Sequence, residues 1–423
     1  MEIAVIGAGY VGLVQAAGLA ALGHRVRVGE NNPGKLEMLK AGRSPIYEPE
    51  LESIIGEGLA TGRLSFEASN EAVVTGAEIV FVAVPTPQGD NGAADMSIVS
   101  SVLDEIASRL VPDVLVVFKS TVPVGSVAKY QRFFDRRSPG VTVLSNPEFL
   151  REGSAVSDFF HPDRIVIGTT DQRAAEQMMD VYRGLDAPVV VTDPISSEMV
   201  KYGSNAYLAA RVTFANAMAN LAEAVGADVR DVLLGMGYDR RIGHHFLSPG
   251  PGFGGSRFPK DTYALVAIAE EHNYDFALLK GVIAVNDEQR QRIVDKVIAA
   301  LPAGARGATV GLWGLAFKAG TDDTRDSPAV AMARMLAGGG AHIRAFDPQA
   351  TVDIEGIEIV AGPLDAVKGA DVLLIATEWP DFQAVDLRKV RDAMVGSVIV
   401  DARNLLDPAA VRRLGMQYHG VGR

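Results

Sequence analysis

"AVIGAGYVGLVQAAGLAALGHRVRVGE", Ala4 to Glu30, reads as an apolar strand, a glycine turn, an alanine-rich helix and a second strand in immediate succession. Gly7, Gly9 and Gly12 stand in the G-x-G-x-x-G spacing after the strand and before the helix, which Gly23 can cap. The first glycine permits a tight turn, the second lets backbone N–H groups reach a pyrophosphate, and the third lets helix and strand pack closely. The helix N-terminus offers partial positive charge to phosphates. The second strand ends on Glu30, whose carboxylate accepts hydrogen bonds from a ribose and repels a 2′-phosphate, so NAD is expected rather than NADP. Glycine-rich turns also occur without cofactors; the order of all these parts is what points to a dinucleotide.

Working outward, short apolar runs recur: "IAVI" at Ile3, "RVRVGE" at Arg25, "IVFVAV" at Ile79, "VLVVF" at Val114, "VTVLSN" at Val141, "RIVIG" at Arg164 and "PVVVT" at Pro188. With helix-like segments between several of them, they predict a mostly parallel sheet covered on both faces, residues 1–193. From Pro194 the texture changes, and alanines, leucines and methionines at helical spacing predict one long helix within a helical segment, 194–300. Alternation resumes near Ala308 with "ATVGLWG", "AHIRAFDP", "DVLLIATEW" and "SVIVDARN", which predicts a smaller α/β domain, 301–423. The fold class expected is α/β, with two Rossmann-like, doubly wound parallel-sheet domains joined by a long central helix. "AGGGAH" near Gly338 reads as a helix end running into a strand.

Length and composition agree. At 423 residues, with roughly 100–200 residues per domain, the chain should hold two or three. Hydrophobic content of 48% is enough to build their cores. Forty basic against 52 acidic side chains give a net charge of −12, which argues against nucleic acid or an anionic membrane as a general partner. The apolar opening is interrupted by glycines and lacks a basic leader, and no other run reaches the roughly 18 residues of a membrane span, so a soluble protein is expected. Absence of cysteine excludes disulfides, thiolate metal sites and a cysteine nucleophile, and is compatible with the cytoplasm.

In an open parallel sheet, ligands sit beyond the carboxyl ends of the strands, so "VPTP" (Val84 to Pro87) and "KSTVPVG" (Lys119 to Gly125) should line one crevice. Ordinary turn chemistry explains such loops equally well. Glu148 and Glu152 stand four apart, on one side if that segment is helical, and could orient water or a sugar hydroxyl; a solvated helix start is the plainer reading. Lys201 and Asn205 share a face of the long helix, where a partly desolvated lysine could stabilise an alkoxide and an asparagine fix a hydroxyl. "GYDRRIGHHFLSPGPGFGGSRFPKDT" gathers arginines, histidines and glycines. Lys260 and Asp261 could position a substrate hydroxyl and a proton-transfer water, whereas His244 and His245 lack a third ligand nearby and no metal is expected.

These motifs, with "NPEFLREG", "RIG", "FKAGTDDTRDSPA", "TEW" and "DARN", resemble the UDP-glucose/GDP-mannose dehydrogenase family almost end to end. The resemblance implies NAD in the first domain, a nucleotide sugar in the C-terminal one, and a homodimer through the long helix. It implies that the NAD site comprises Gly7, Gly9, Tyr10, Val11 and Gly12, with Glu30, Lys35, Pro85, Thr86, Ser120, Thr121, Glu152 and Arg325. The sugar nucleotide would meet Glu148, Phe149, Leu150, Lys201, Asn205, Phe246, Leu247, Gly254, Lys260, Lys318 and Arg403, and Arg241 would reach the partner subunit's site. Catalysis would fall to Thr121, Glu148, Lys201, Asn205 and Asp261, with Arg257 at the reaction centre. UDP-glucose is the first substrate expected; GDP-mannose or a modified sugar comes second.

The family oxidises a sugar C6 alcohol to a carboxylate in two hydride steps, with a cysteine trapping the intermediate aldehyde. Its "GGSCFPKD" is here "GGSRFPKD", which puts Arg257 in the cysteine's place. A guanidinium is always protonated and has no nucleophilic lone pair, so the covalent second step is blocked while the first is not. The leading expectation is oxidation that stops at the 6-aldehyde. The alternatives are slower oxidation through the aldehyde hydrate, an anionic substrate paired with Arg257, and a non-catalytic nucleotide-sugar binder. A lesser departure is "FANAM", with Asn216 followed by Ala217 where the family commonly reads N-E.

Overall fold

The computed structural model describes residues 1–89 and 92–423. They pack as two compact units, Met1–Ser204 with Tyr263–Tyr274, and Asn205–Thr262 with Asp275–Arg423.

In the first unit, strands β1 (Glu2–Ile6), β2 (Arg25–Gly29), β3 (Leu64–Glu67), β4 (Ile79–Val82), β5 (Leu115–Phe118), β6 (Thr142–Ser145), β7 (Ile165–Gly168) and β8 (Val189–Thr192) form one sheet. Their order is β3-β2-β1-β4-β5-β6-β7-β8, and β7 runs antiparallel to β6. Successive side chains of β1, β4 and β5 enter opposite cores. Ile3, Val5, Val26, Val28, Ile79 and Phe81 join one, and Ala4, Ile6, Val80, Val82, Val116 and Phe118 the other. Burial on both faces is why these strands read as unbroken apolar runs. Strand order reverses between β1 and β4, which opens a crevice beyond their carboxyl ends.

In the second unit, β9 (Thr309–Trp313), β10 (His342–Phe346), β11 (Ile357–Ile359), β12 (Val372–Ile375), β13 (Val398–Asp401) and β14 (Gln417–His419) form an all-parallel sheet. The order β11-β10-β9-β12-β13-β14 repeats the winding of the first six strands. Its core also takes in Ala215, Ala219 and Ala222 of the long helix.

That helix runs Pro194–Val225, 32 residues. Asp193 caps it by accepting the Ser196 N–H at 2.9 Å, proline occupies its first position, and Gly226 leaves it at φ +78°. Among the described residues no helix is long and apolar enough to cross a membrane.

Candidate active site

In the first unit a candidate cofactor site is built on the β1 turn. Gly7 has φ +100°, and a Cβ there would lie 2.8 Å from the Ala83 carbonyl oxygen; a Cβ on Gly12 would overlap the Gly7 carbonyl. Both positions therefore require glycine, for the turn and for close packing respectively. Gly9 is different: nothing lies within 4 Å of its Cβ position, and it caps the helix Tyr10–Ala21 without a side-chain hydrogen bond. The helix N-terminus is thus left for a ligand's phosphates.

Two other helix starts in this unit are closed by buried carboxylates. Glu198 accepts from Gly125 N at 2.5 Å and Val127 N at 2.9 Å, and burial holds its carboxyl above the usual range. Glu48 accepts from Gly153 N at 2.7 Å and Ala155 N at 2.8 Å. Those two helix starts are therefore not open to a ligand's phosphates, while the one at Gly9 is.

Around the cradle, Glu30 is buried at the end of β2 and accepts from Asn32 N at 2.7 Å. Lys35 is exposed in the first turn of helix Pro33–Lys40, with its N–H bonded to Asn32 Oδ1. The two candidate loops are stitched together: Thr86 Oγ1 donates to the Thr121 carbonyl at 2.8 Å, and Ser120 Oγ donates to the Val84 carbonyl at 2.6 Å. Tyr10, Val11 and Thr121 are half-buried, and Pro85 is exposed.

Lys201 is buried, and its Nζ donates to the Glu148 carbonyl at 2.6 Å and to Glu148 Oε1 at 2.9 Å. Phe149 lies beneath both Arg164, 3.5 Å from its ring centroid, and Lys201, at 5.4 Å. Leu150 packs into the core and gives its N–H to Glu148 Oε2 at 2.7 Å. The helical option for Glu148 and Glu152 is not realised: the segment is irregular, and the next helix starts at Ala155. Pro147 biases Asn146 away from helical geometry, and the Glu148 carboxylate takes a local N–H that a helix would use otherwise. Glu152 is buried beside Gly153.

In the second unit a separate polar cluster centres on Asp261, which is 1% exposed. Asn205 Nδ2 donates to its Oδ2 at 2.6 Å, and Lys260 Nζ donates to its Oδ1 at 2.5 Å. Arg257 occupies the turn before helix Phe258–Glu271, and its carbonyl accepts the Asp261 N–H at 2.9 Å. A side chain on Gly254 would collide with the Asp326 carbonyl, so backbone contact at Gly254 is dictated by packing.

Buried amides hold the loop leading to Arg257. Asn216 Oδ1 accepts from Gly250 N at 2.7 Å, Gln289 Nε2 donates to the Gly250 carbonyl at 2.9 Å, and Asn286 Oδ1 accepts from Phe253 N at 2.7 Å. Ala217, the other departure in "FANAM", is exposed on the helix.

Arg403 donates to the carbonyls of Ala376 at 2.9 Å and Phe317 at 2.6 Å and pairs with Glu378. Lys318 lies near the Phe317 ring, and Arg325 is clamped by both Asp323 oxygens. Leu247 is buried and Phe246 half-buried, 6.3 Å from the Phe258 ring. Arg241 projects outward with its side chain 89% exposed, held by Asp239. Among the described residues no group of acidic, histidine or cysteine side chains could hold a metal.

A dinucleotide cradle and a buried lysine in the first unit, and a buried asparagine–aspartate pair in the second, are the parts expected of an NAD-dependent oxidoreductase acting on a carbinol. Residues 1–186 match the NAD binding domain of the UDP-glucose/GDP-mannose dehydrogenase family, 195–288 its central domain and 311–408 its UDP binding domain. The chain belongs to that family, whose cofactor is NAD and whose substrates are nucleotide sugars. It is 44% identical to the UDP-glucose 6-dehydrogenase of Rhizobium meliloti, covering 100% of both chains, and 42% identical to that of Pseudomonas aeruginosa, covering 100% of this chain and 98% of the other. It is also similar to the solved structure of a UDP-glucose dehydrogenase from the hyperthermophilic archaeon Pyrobaculum islandicum, with a TM-score of 0.92, 41% identity and coverage of 99% of this chain and 97% of that one.

Residues outside the expected set also shape the site: Lys119, Asn146, Arg164, Glu48, Glu198, Asn286 and Gln289. Their sequence signal was weak, because each looks like an ordinary surface polar residue until its distant partner is known.

Proposed function

We propose that this protein oxidises the C6 carbinol of a nucleotide hexose, UDP-glucose first among candidates, and releases the 6-aldehyde. The observation that carries the reading is Arg257. It stands one turn before Asp261, beside the Asn205–Asp261–Lys260 cluster, in a chain without cysteine.

Bound NAD would accept the hydride from C6. The chain's own groups do the rest. Lys201, fixed by Glu148, stabilises the developing alkoxide electrostatically, and Asp261, oriented by Asn205, accepts the hydroxyl proton through water. The C–H bond breaks with its electron pair, the O–H proton leaves, and the carbonyl forms. Nothing nucleophilic then traps the aldehyde. Within this reading Thr86, Thr121, Glu30 and Glu152 serve the cofactor, and Lys260, Lys318 and Arg403 serve the sugar nucleotide.

Counting NADH formed per UDP-glucose consumed, with mass identification of the product, tests it. About one NADH with an aldehyde or its hydrate supports the proposal. About two with a uronate would show oxidation through the hydrate instead. No NADH from any nucleotide hexose, despite NAD binding, would identify a binding protein.

We further propose a homodimer through the long helix. Tyr207, Phe214 and Leu221 recur every seventh residue and are 62%, 51% and 55% exposed, followed by Val225 at 69%. A monomer by sedimentation at micromolar concentration would refute it.

A further inference from the structure

Lys119 follows β5 and opens the loop that carries Thr121, yet its side chain turns inward and the residue is 6% exposed. Its Nζ donates to Asn146 Oδ1 at 2.9 Å and to the Tyr182 hydroxyl oxygen at 3.1 Å. The Tyr182 hydroxyl donates to Asn146 Oδ1 at 2.5 Å and accepts from Gln15 Nε2 at 2.9 Å, and Asn146 Nδ2 donates to the Val166 carbonyl at 2.7 Å. Asn146 stands two residues before Glu148, so this one ammonium links the end of β5 to the end of β6, and the Thr121 loop to the Glu148 loop.

Both hydrogen-bond acceptors of Lys119 are neutral. An ammonium removed from water without a bonded carboxylate is costly, and in a structural role a methionine or glutamine would fill the space at less cost. The charges that face it are the Glu148 carboxylate and the Lys201 ammonium, and the other titratable neighbour is Tyr182. The first helix contributes the uncharged Gln15, and β7 only a carbonyl.

We propose that Lys119 is a positioning residue, which ties the Thr121 loop to the Glu148 loop and through its own charge biases the protonation of the Glu148–Lys201 pair. Two ammonium groups near one carboxylate titrate as a set, so a proton on one weakens the hold of the other on its own. Burial lowers Lys119 to about 7, with Lys201 pushing in the same direction and Glu148 opposing, which places its charge change within the working range of an enzyme.

The inference rests on the dehydrogenase reading, and pH profiles of kcat for NADH formation from UDP-glucose test it. In Lys119→Met the ionisation that governs kcat is expected to move up by about one pH unit, because the remaining ammonium has lost a repelling neighbour. Lys119→Arg carries a charge that persists above pH 7, so it should move the ionisation the opposite way, below the wild-type position. Tyr182→Phe removes one acceptor of the Lys119 ammonium, keeps every charge at neutral pH, and should move the ionisation upward, as Lys119→Met does, but by less; it decides the matter if the methionine variant does not fold. A methionine or phenylalanine variant with lower kcat but an unshifted profile would overturn the inference and leave a structural lysine. A wild-type enzyme silent with every nucleotide hexose would overturn the activity reading and this inference with it.

Discussion

Replacing Lys119 by methionine should erase a pH dependence of folding stability whose size follows from the burial of this side chain. Its ordinary value of 10.5 is lowered to about 7 in the folded protein, because burial disfavours the charged form. Between those limits the unfolded chain holds a proton that the folded chain lacks, so stability rises with pH. The slope for one group is about 1.4 kcal/mol per pH unit, and from about pH 7.5 to about pH 9 it amounts to about 2 kcal/mol. Below about 7 both states are protonated and above 10.5 both are neutral, so the contribution is flat outside that window. Against a total of about 5–15 kcal/mol this is a large fraction. Urea denaturation of wild type and Lys119→Met across the window gives the test, since titrating groups other than the coupled Glu148 and Lys201 cancel in the difference. Wild type should gain about 2 kcal/mol relative to the variant between the two pH values. Parallel stability curves would refute the argument that this lysine is buried without a bonded counter-ion.

Gly12→Ala places a methyl on the Gly7 carbonyl, and the turn must shift; a loss of about 1–3 kcal/mol and at least about tenfold weaker NAD binding are expected, measured by thermal denaturation and calorimetry. Glu48→Ala strips the acceptor from the Gly153 and Ala155 N–H groups, so the melting temperature should fall and KM for NAD rise through the adjacent Glu152; a variant with unchanged KM would show that the Glu152 loop is held by other contacts. Arg257→Cys should raise NADH per sugar from about one toward two and yield uronate, and an unchanged product profile would mean that the position does not face the aldehyde.

Much of the architecture was legible in linear order. The apolar runs of β1, β4 to β7, β9, β12 and β13 stand out because both sheet faces are buried there, whereas β2 and β10 show through their alternation and the exposed β8 through its run of valines. The strands that escaped, β3, β11 and β14, all lie at sheet edges, and in β11 and β14, of three residues each, two of the three face solvent. The Glu148 segment shows the opposite failure. A four-residue spacing suggests a helix, but Pro147 and the Glu148 to Leu150 hydrogen bond settle the backbone otherwise.

What the chain determined by itself is local: the glycine turn, the uncapped helix start at Gly9, the acid that ends β2, and the presence of arginine where a thiol would be needed. These depend on neighbours a few residues away, and short-range sterics decide them. Which charges meet was decided only by tertiary structure. Lys201 finds Glu148 across 53 residues and Asn205 finds Asp261 across 56, while Lys119, outwardly an ordinary loop lysine, is drawn into a dry network with Asn146 and Tyr182. Pairings of that range arise from sheet order and helix packing, and a side chain's proton affinity follows from the surroundings they create.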